Sequence, residues 1–360
     1  MKTATIFGTR PEMIKMWGVL KKLDDSNQEH IMIHTGQNFT KELKDFFFRD
    51  LKLRKPDYYL DIDTSSFGNE VSDIIKKTDQ LFATLKLDNL VILGDTYSGL
   101  SILPAKNQNI KVFHMEAGLR AWDKRMPEQR NRILIDHMSD ILLPFNQYHR
   151  ENLIRENIHP SKIFCTGNTV FEPMRFFSKQ INDSKILNKL KLKKRNYILV
   201  TSHRSENVDN PIVLKNILSS LVTLQKKLKT EVIFPMHPRT YSKCKSYISE
   251  TKIKIIQPLG FYDYNKLSKD ALCILSDSGT ACEEGLFYRV PNVVLRTSTE
   301  RPETLESGGT IVSGLDETRI IEACLFAINN KIKTDYDFSE NKSPSSVVMN
   351  ALQSDVRAYF

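Results

Sequence analysis

Residues Val112 to Arg132 read VFHMEAGLRAWDKRMPEQRNR. The apolar run Ile110 to Met115 has the length and composition of a buried strand, and it delivers one acid, Glu116, at its carboxyl end. A glycine turn and Trp122 follow, and Pro127 then opens a helical pattern whose first turn carries a second acid, Glu128. A plainer local account exists: Glu128 favours the positive end of its helix and Glu116 pairs with Arg120. Upstream, however, LVILGDTYS places Asp95 in the same way, an acid in a turn just beyond an apolar strand. Several acids at the carboxyl ends of neighbouring parallel strands stand where open α/β sheets keep their ligands. That arrangement points to proton chemistry in a crevice.

The rest of the chain extends the pattern. Strands are predicted over Lys2–Phe7, His30–His34, Leu90–Leu93, Lys111–Met115, Ile141–Pro144 and Lys162–Thr166. Between them, helices are predicted after GTRPEMIKM, around Leu43 to Phe47, and over Val71–Leu85, Gly99–Lys106 and Glu128–His137. Alternation of this kind implies βαβ units and a parallel sheet. A first domain over residues 1–174 is complete near Met174, and the lysine-rich stretch Phe176 to Arg195 reads as the crossing into a second, with Lys185 to Arg195 a solvated helix that buries one face. Residues 175–344 repeat the alternation, with strands over Asn196–Thr201, Glu231–Pro235, Ile253–Ile256, Leu272–Leu275, Asn292–Arg296 and Thr310–Val312. Helices follow over Ile212–Lys227, from Thr318 to Asn330, and over a last segment, Ser345–Tyr359.

Composition sets the class. With 360 residues, 40% hydrophobic and 26% charged, the chain suits two soluble domains. No stretch approaches the ~18 apolar residues of a membrane span, and a cytoplasmic protein with no membrane partner is expected. Five scattered cysteines without a CxxC pair suggest neither a disulfide framework nor a metal site. The net charge of +9 permits an anionic partner, but no zinc-finger, RNP or basic-zipper pattern accompanies it, so a small anionic substrate is expected and nucleic acid is not.

Two further turns carry chemistry. In GTRPEMIKM, Thr9 and Glu12 have capping-box spacing, and Arg10 and Lys15 stand beside the helix N-terminus, a candidate phosphate or carboxylate site. It is neither a P-loop nor GxGxxG, so no nicotinamide cofactor or Mg-ATP follows. In SDSGTACEEG, Ser278 and Gly279 lead into a helix with Thr280 and Glu283 at the same spacing, and Glu284 is placed to accept from ribose hydroxyls. His203, at a strand end beside Arg204, is the candidate charged group near a phosphate, while His114, His137 and His237 read first as structural.

GTRPEMIK, HTGQN, LGDT, HMEAGLR, MPEQRNR, TGNTV, SHRSEN, LSDSGTACEE and TERPE together resemble, in order and from Lys2 to about Gly314, the non-hydrolysing UDP-N-acetylglucosamine 2-epimerases. The resemblance implies two Rossmann-like α/β domains of GT-B type with UDP in the interdomain cleft, the C-terminal helix over residues 345–360 packed back on the first domain, and a homodimer. It implies removal of the C2 proton, elimination of UDP to a 2-acetamidoglucal and re-addition after reprotonation on the opposite face, with no cofactor and no metal. Carried over by motif, the catalytic residues are Asp95, Glu116, Glu128 and His203. Substrate and UDP contacts fall on Arg10, Lys15, Arg120, His237, Phe261, Ser278, Gly279, Glu284 and Arg301. Where many relatives have PEE this chain has Pro127-Glu128-Gln129, so Glu128 serves alone. SILPAK, FHMEAG, DHMSD, ENVDN, MHPRT and GFYDYNKL look more like a branch acting on UDP-2-acetamido-2,6-dideoxyhexoses, against which Leu119, Ala121 and Trp122 stand. Relatives that need a second substrate molecule for activity use a TGQH-type segment. Here Asn38, Phe39 and Thr40 follow Gln37, and a turnover independent of such an effector is expected.

Overall fold

The computed structural model describes residues 1–36, 47–123, 126–236, 238–249, 251–330 and 343–354. It divides into two compact units, Met1–Arg175 together with Ser339–Phe360, and Phe176–Phe338.

The first unit holds a parallel sheet of six strands: β1 Lys2–Phe7, β2 Glu29–His34, β3 Tyr58–Tyr59, β4 Asn89–Leu93, β5 Lys111–Met115 and β6 Ile141–Leu143, in the order β3-β2-β1-β4-β5-β6. Its strands are apolar on both faces because helices cover both. Ala4, Ile6, Ile31, Ile33, Leu90, Ile92 and Val112 share one buried cluster with Phe82, Ile102 and Ile135 from the helices. The helix Phe67–Leu85 starts where the Ser66 side chain accepts from Asn69 N and stops at Lys86, which turns left-handed at φ +51°. The helix Pro344–Gln353 belongs to this unit and packs on the helix Arg10–Asp24. Gly18 is required there, because a Cβ would stand 2.4 Å from Glu172 Oε2 and 2.9 Å from Ser345 Cβ.

The second unit repeats the plan with β7 Tyr197–Thr201, β8 Glu231–Pro235, β9 Lys254–Ile256, β10 Cys273–Ser276, β11 Asn292–Val294 and β12 Thr310–Val312, ordered β12-β11-β10-β7-β8-β9. Alternate residues of β7 go to opposite cores: Ile198 and Val200 meet Leu214, Leu218 and Cys324, while Tyr197 and Leu199 meet Leu187, Leu267 and Ala281. Asn210 and Asp316 cap the long helices Pro211–Leu228 and Glu317–Asn329 by accepting from two backbone amides each.

The sequence reading misplaced some elements. Lys162–Thr166 is not a strand: Phe164 N and Thr166 N bond to Leu142 O and Pro144 O, but β6 is three residues long and only the bridge Leu142–Ile163 forms. Gly99–Lys106 opens as a 3₁₀ turn, Tyr97–Ser101, before the helix Ile102–Asn107. The two-residue strand β3 and the helix Gln147–Arg155, capped by Asn146, were missed. Lys185–Arg195 is no long helix. It is helical only over Ile186–Lys189, and Lys191 and Arg195 turn the chain at φ +54° and +55°. The second unit begins at Phe176, and Phe177, Ile181, Ile186, Leu187 and Leu192 of the crossing stretch are buried in it. The helix expected around Leu43 lies outside the described residues up to Phe47, as does the end of the last helix beyond Ser354.

Candidate active site

In the first sheet, β1 and β4 lie side by side while β2 and β3 continue to one side and β5 and β6 to the other. A crevice opens at the carboxyl ends of such a pair. β1 delivers the turn Gly8-Thr9 and the helix Arg10–Asp24, β4 delivers Asp95 and Thr96, and β5 delivers Glu116.

Lys15 Nζ lies 2.7 Å from Glu116 Oε1 and 2.8 Å from Oε2, with both side chains buried. Glu116 therefore pairs with Lys15 and not, as the local account had it, with Arg120. Its backbone sits at φ +63°, a conformation costing a non-glycine residue about 1–3 kcal/mol. Gly94, itself at φ +72°, approaches so closely that a Cβ would stand 3.2 Å from Glu116 Oε2. Asp95 Oδ2 accepts from Arg132 Nη2, and its backbone carbonyl accepts from Asn131 Nδ2 at 3.0 Å. Arg132 is buried, and its Nε and Nη1 have no partner among the described residues. Glu128 is half-buried in the first turn of the helix Pro127–Met138. Burial, and then the charges of Glu70 and Glu128, push the Tyr97 hydroxyl up. Arg10 is half-buried with its guanidinium 5.0 Å above the Phe47 ring.

Two features escaped the sequence reading. Glu12 was read as a cap, and it does accept from Thr9 N at 2.8 Å, but it also accepts from Gly8 N, from the Thr9 hydroxyl and, across to β4, from Thr96 Oγ1 at 2.8 Å. Burial pushes its carboxyl up to about 7. The second feature is a chain of ionisable side chains that runs from the interior out to Glu156. His114 Nε2 is 2.8 Å from Gly94 O and its Nδ1 is 2.7 Å from Asp136 Oδ1. Asp136 Oδ2 accepts from Arg120 Nη1 at 2.8 Å and from Gly118 N at 3.2 Å. The rest of the Arg120 guanidinium forks onto Glu156 at 2.7 and 2.6 Å. Arg120 was expected at the substrate. It is instead fully buried with its donors taken by Asp136, Glu156 and Leu119 O, so it fixes the loop that carries Glu116. His114 is structural as expected, whereas His137 is half-exposed, 3.3 Å from Glu156.

The second sheet has its own switch point between β7 and β10. There Asp277, wholly buried, accepts from Ser202 Oγ at 2.8 Å, Arg204 N at 3.0 Å, Asn207 Nδ2 at 3.0 Å and His203 N at 3.0 Å. The loop 202–207 is thereby fixed, and His203 presents its ring at 60% exposure with Nδ1 3.4 Å from Asp277 Oδ1. Ser278 caps the helix Gly279–Tyr288 by position but not by a side-chain bond, and the Thr280–Glu283 capping box does not form. Glu283 instead binds Arg301 Nε at 2.8 Å, while Glu300 binds Arg301 Nη1 at 2.7 Å. A Cβ at Gly279 would stand 2.9 Å from Glu300 Oε1 and 3.0 Å from Arg301 Nη1, so any larger residue would displace the ends of those two side chains. Glu284 is buried one turn on. Phe261 is buried against Phe177 and Tyr262 at the start of the helix Phe261–Asp270. His237 lies outside the described residues, as do Gln37, Asn38, Phe39 and Thr40.

Burial pushes the Cys282 thiol up to about 12, which leaves it a poor nucleophile. Among the described residues no group of three or more His, Cys, Asp or Glu side chains is arranged to hold a metal ion. No helix among them is long and apolar enough to cross a membrane.

The profile of the UDP-N-acetylglucosamine 2-epimerase family matches residues 21–348. The UDP-N-acetylglucosamine 2-epimerase of Methanocaldococcus jannaschii is 36% identical over 359 residues, which cover 97% of this chain and 98% of that protein. The UDP-2,3-diacetamido-2,3-dideoxy-D-glucuronate 2-epimerase of Pseudomonas aeruginosa is 31% identical over 339 residues, 93% of this chain and 94% of that protein. A crystal structure of the M. jannaschii enzyme in complex with UDP-GlcNAc and UDP superposes with a TM-score of 0.92 at 34% identity, over 98% of this chain and 100% of that one.

Proposed function

We propose that this chain, which belongs to the UDP-N-acetylglucosamine 2-epimerase family, interconverts UDP-GlcNAc and UDP-ManNAc without hydrolysing them. It is an isomerase. In the proposed reaction a carboxylate removes the C2 proton, the C1–O bond to UDP breaks to leave a 2-acetamidoglucal, a proton returns to C2 from the opposite face, and the UDP oxygen re-forms the bond at C1. Atoms and charge balance with no redox step. The observation that carries the reading is the convergence of Asp95 and Glu116 at the ends of adjacent strands β4 and β5, each held by a buried cation, Arg132 and Lys15.

Inversion needs a base on one face and an acid on the other, and positioned groups of this type contribute about 10²–10⁴-fold. We assign proton transfer to Asp95, Glu116 and Glu128. Arg10 and Lys15 offer positive charge to the departing diphosphate, and a donor aimed at developing charge is a large contributor to such steps. In the second unit, His203 and the amides beside Ser278 and Gly279 suit a phosphate, and Glu284 a ribose hydroxyl. A glycosyltransferase on the same fold would not call for three acids around one crevice. The relative acting on a diacetamido-glucuronate marks the substituents at C3 to C6 as the variable part of the substrate, so UDP-2-acetamido-2,6-dideoxyhexoses belong in the assay panel. We further propose a homodimer, which light scattering of the purified protein would check.

The test is proton NMR of the protein with UDP-GlcNAc in D2O. Deuterium at C2 with a growing UDP-ManNAc signal is expected. Free ManNAc plus UDP would mean a hydrolysing enzyme, and an unchanged spectrum would overturn the reading. Asp95→Asn, Glu116→Gln and Glu128→Gln should each lower kcat by ~10²-fold or more with UDP affinity little changed.

A further inference from the structure

The two acid-bearing turns are not independent. Gly94, which leads into Asp95, gives its carbonyl to His114 Nε2 at 2.8 Å, and the other ring nitrogen faces Asp136 Oδ1 at 2.7 Å. A carbonyl only accepts, and so does a carboxylate. Asp136 is ionised in this setting, because its Oδ2 accepts from the Arg120 guanidinium at 2.8 Å and from Gly118 N at 3.2 Å, the surroundings of a carboxylate. Both ring nitrogens therefore face acceptors, and a neutral imidazole would set a lone pair against one of them in a site with no access to water. Asp136 meanwhile takes Gly118 N and Arg120 Nη1 with its second oxygen, on the loop that begins at Glu116.

We propose that His114 is a doubly protonated positioning residue, and that with Asp136 it forms one buried clamp setting the distance between Asp95 and Glu116. The imidazolium holds the turn after β4 by the Gly94 carbonyl, and the carboxylate behind it holds the turn after β5 by the Gly118 amide. His114 touches no substrate and moves no proton during turnover. The charges facing it are Asp136 on the helix Pro127–Met138 and, beyond that carboxylate, Arg120, whose other partner is Glu156. Alternating signs along His114, Asp136, Arg120 and Glu156 leave the chain neutral as a whole, with the first three in a dry interior and Glu156 at its half-buried edge. The functional half of this inference rests on Asp95 and Glu116 being the reacting acids; the protonation half does not.

Two measurements separate these halves. The first uses wild-type protein labelled with ¹⁵N-histidine, with the His114 ring assigned by its loss in His114→Leu. Directly bonded hydrogens on both ring nitrogens, at the pH of the activity assay, are the expected result. One bare nitrogen overturns the clamp whatever the enzyme does. The second is a double-mutant cycle. His114→Leu should lower kcat about 10²-fold, as misplacement of a reacting group by about an ångström does, with KM changed less than about threefold. His114→Gln, which keeps a donor toward Gly94 O, should recover about tenfold of that loss relative to His114→Leu. On an Asp95→Asn background, His114→Leu should cost less than about threefold more, since a turn without its acid has nothing to lose by moving. If the losses multiply instead, His114 only supports the fold and the proposal fails. If Asp95→Asn itself is fully active, the assignment of the acids fails, while the labelled ring still decides the clamp.

Discussion

Two buried aspartates organise this molecule, and they do it by opposite means. Asp136 in the first unit is held by charged side chains, His114 and Arg120, with a single backbone amide added. Asp277 in the second unit is held by the neutral donors Ser202 Oγ, Asn207 Nδ2 and the amides of His203 and Arg204. The first arrangement locks two loops to a helix through side chains that have charges of their own to satisfy. The second wraps one loop around an anion and leaves the His203 ring projecting outward at 60% exposure. Charge pairing stakes the fold on the hub, whereas amide wrapping stakes only the loop.

That contrast can be broken by measurement, and the largest effect should come from Asp136→Asn. Removing one partner of a buried ionic group leaves uncompensated charge at a cost of about 3–5 kcal/mol, so the first unit should lose much of its stability in a denaturant titration. Asp277→Asn should cost less stability, because its donors are neutral and can turn to water when the loop loosens. Its effect should appear as UDP affinity weakened by roughly tenfold, ~1.4 kcal/mol, by calorimetry. If both variants lose the same stability, the distinction between the hubs is wrong.

The smallest effects concern pH. The Asp136 carboxyl is held below its ordinary 3.8, so its contribution is fully present above that value and is lost as pH falls below it. Glu12 runs the other way. Its folded value is raised from 4.5 to about 7 by burial, so its contribution is present below 4.5 and is lost as pH rises toward 7. Glu12→Gln should flatten the stability profile between those two values and leave the acid limb below 3.8 unchanged. A profile unchanged between 4.5 and 7 would show that Glu12 does not titrate there.

Much of this was legible in the residues. Asp95 and Glu116 each follow an uninterrupted apolar run, and an apolar run ending on an acid specifies both a buried parallel strand and what it presents. Both sheets followed from that alternation, as did most strand boundaries to within two residues. What was not legible is which cation answers which acid. Lys15 meets Glu116 across 101 residues and Arg132 meets Asp95 across 37, and such pairings arise from strand order, which local spacing does not encode. Arg120 misled for the same reason: beside Glu116 in sequence, it turns away to Asp136 and Glu156. Glu12 shows the limit of local motifs, since its capping position was right and its bond to Thr96 invisible.

The helix Pro344–Gln353 has a consequence for how the chain is made. It belongs to the first unit, and Lys22 on the helix Arg10–Asp24 donates to Ser346, 324 residues later, at 2.9 Å. Glu172 takes the amide and hydroxyl of Ser345 in the same seam. A ribosome adds about 5–20 residues per second, so the seat on the first helix stays empty for on the order of tens of seconds after that helix has emerged. The second unit has no such debt: all of its strands and their helices are in hand before residue 343 is joined. Vectorial synthesis therefore predicts that the half begun first is the half finished last. Nascent chains arrested before Ser343 should resist protease across β7 to β12 while still being cut within the first unit.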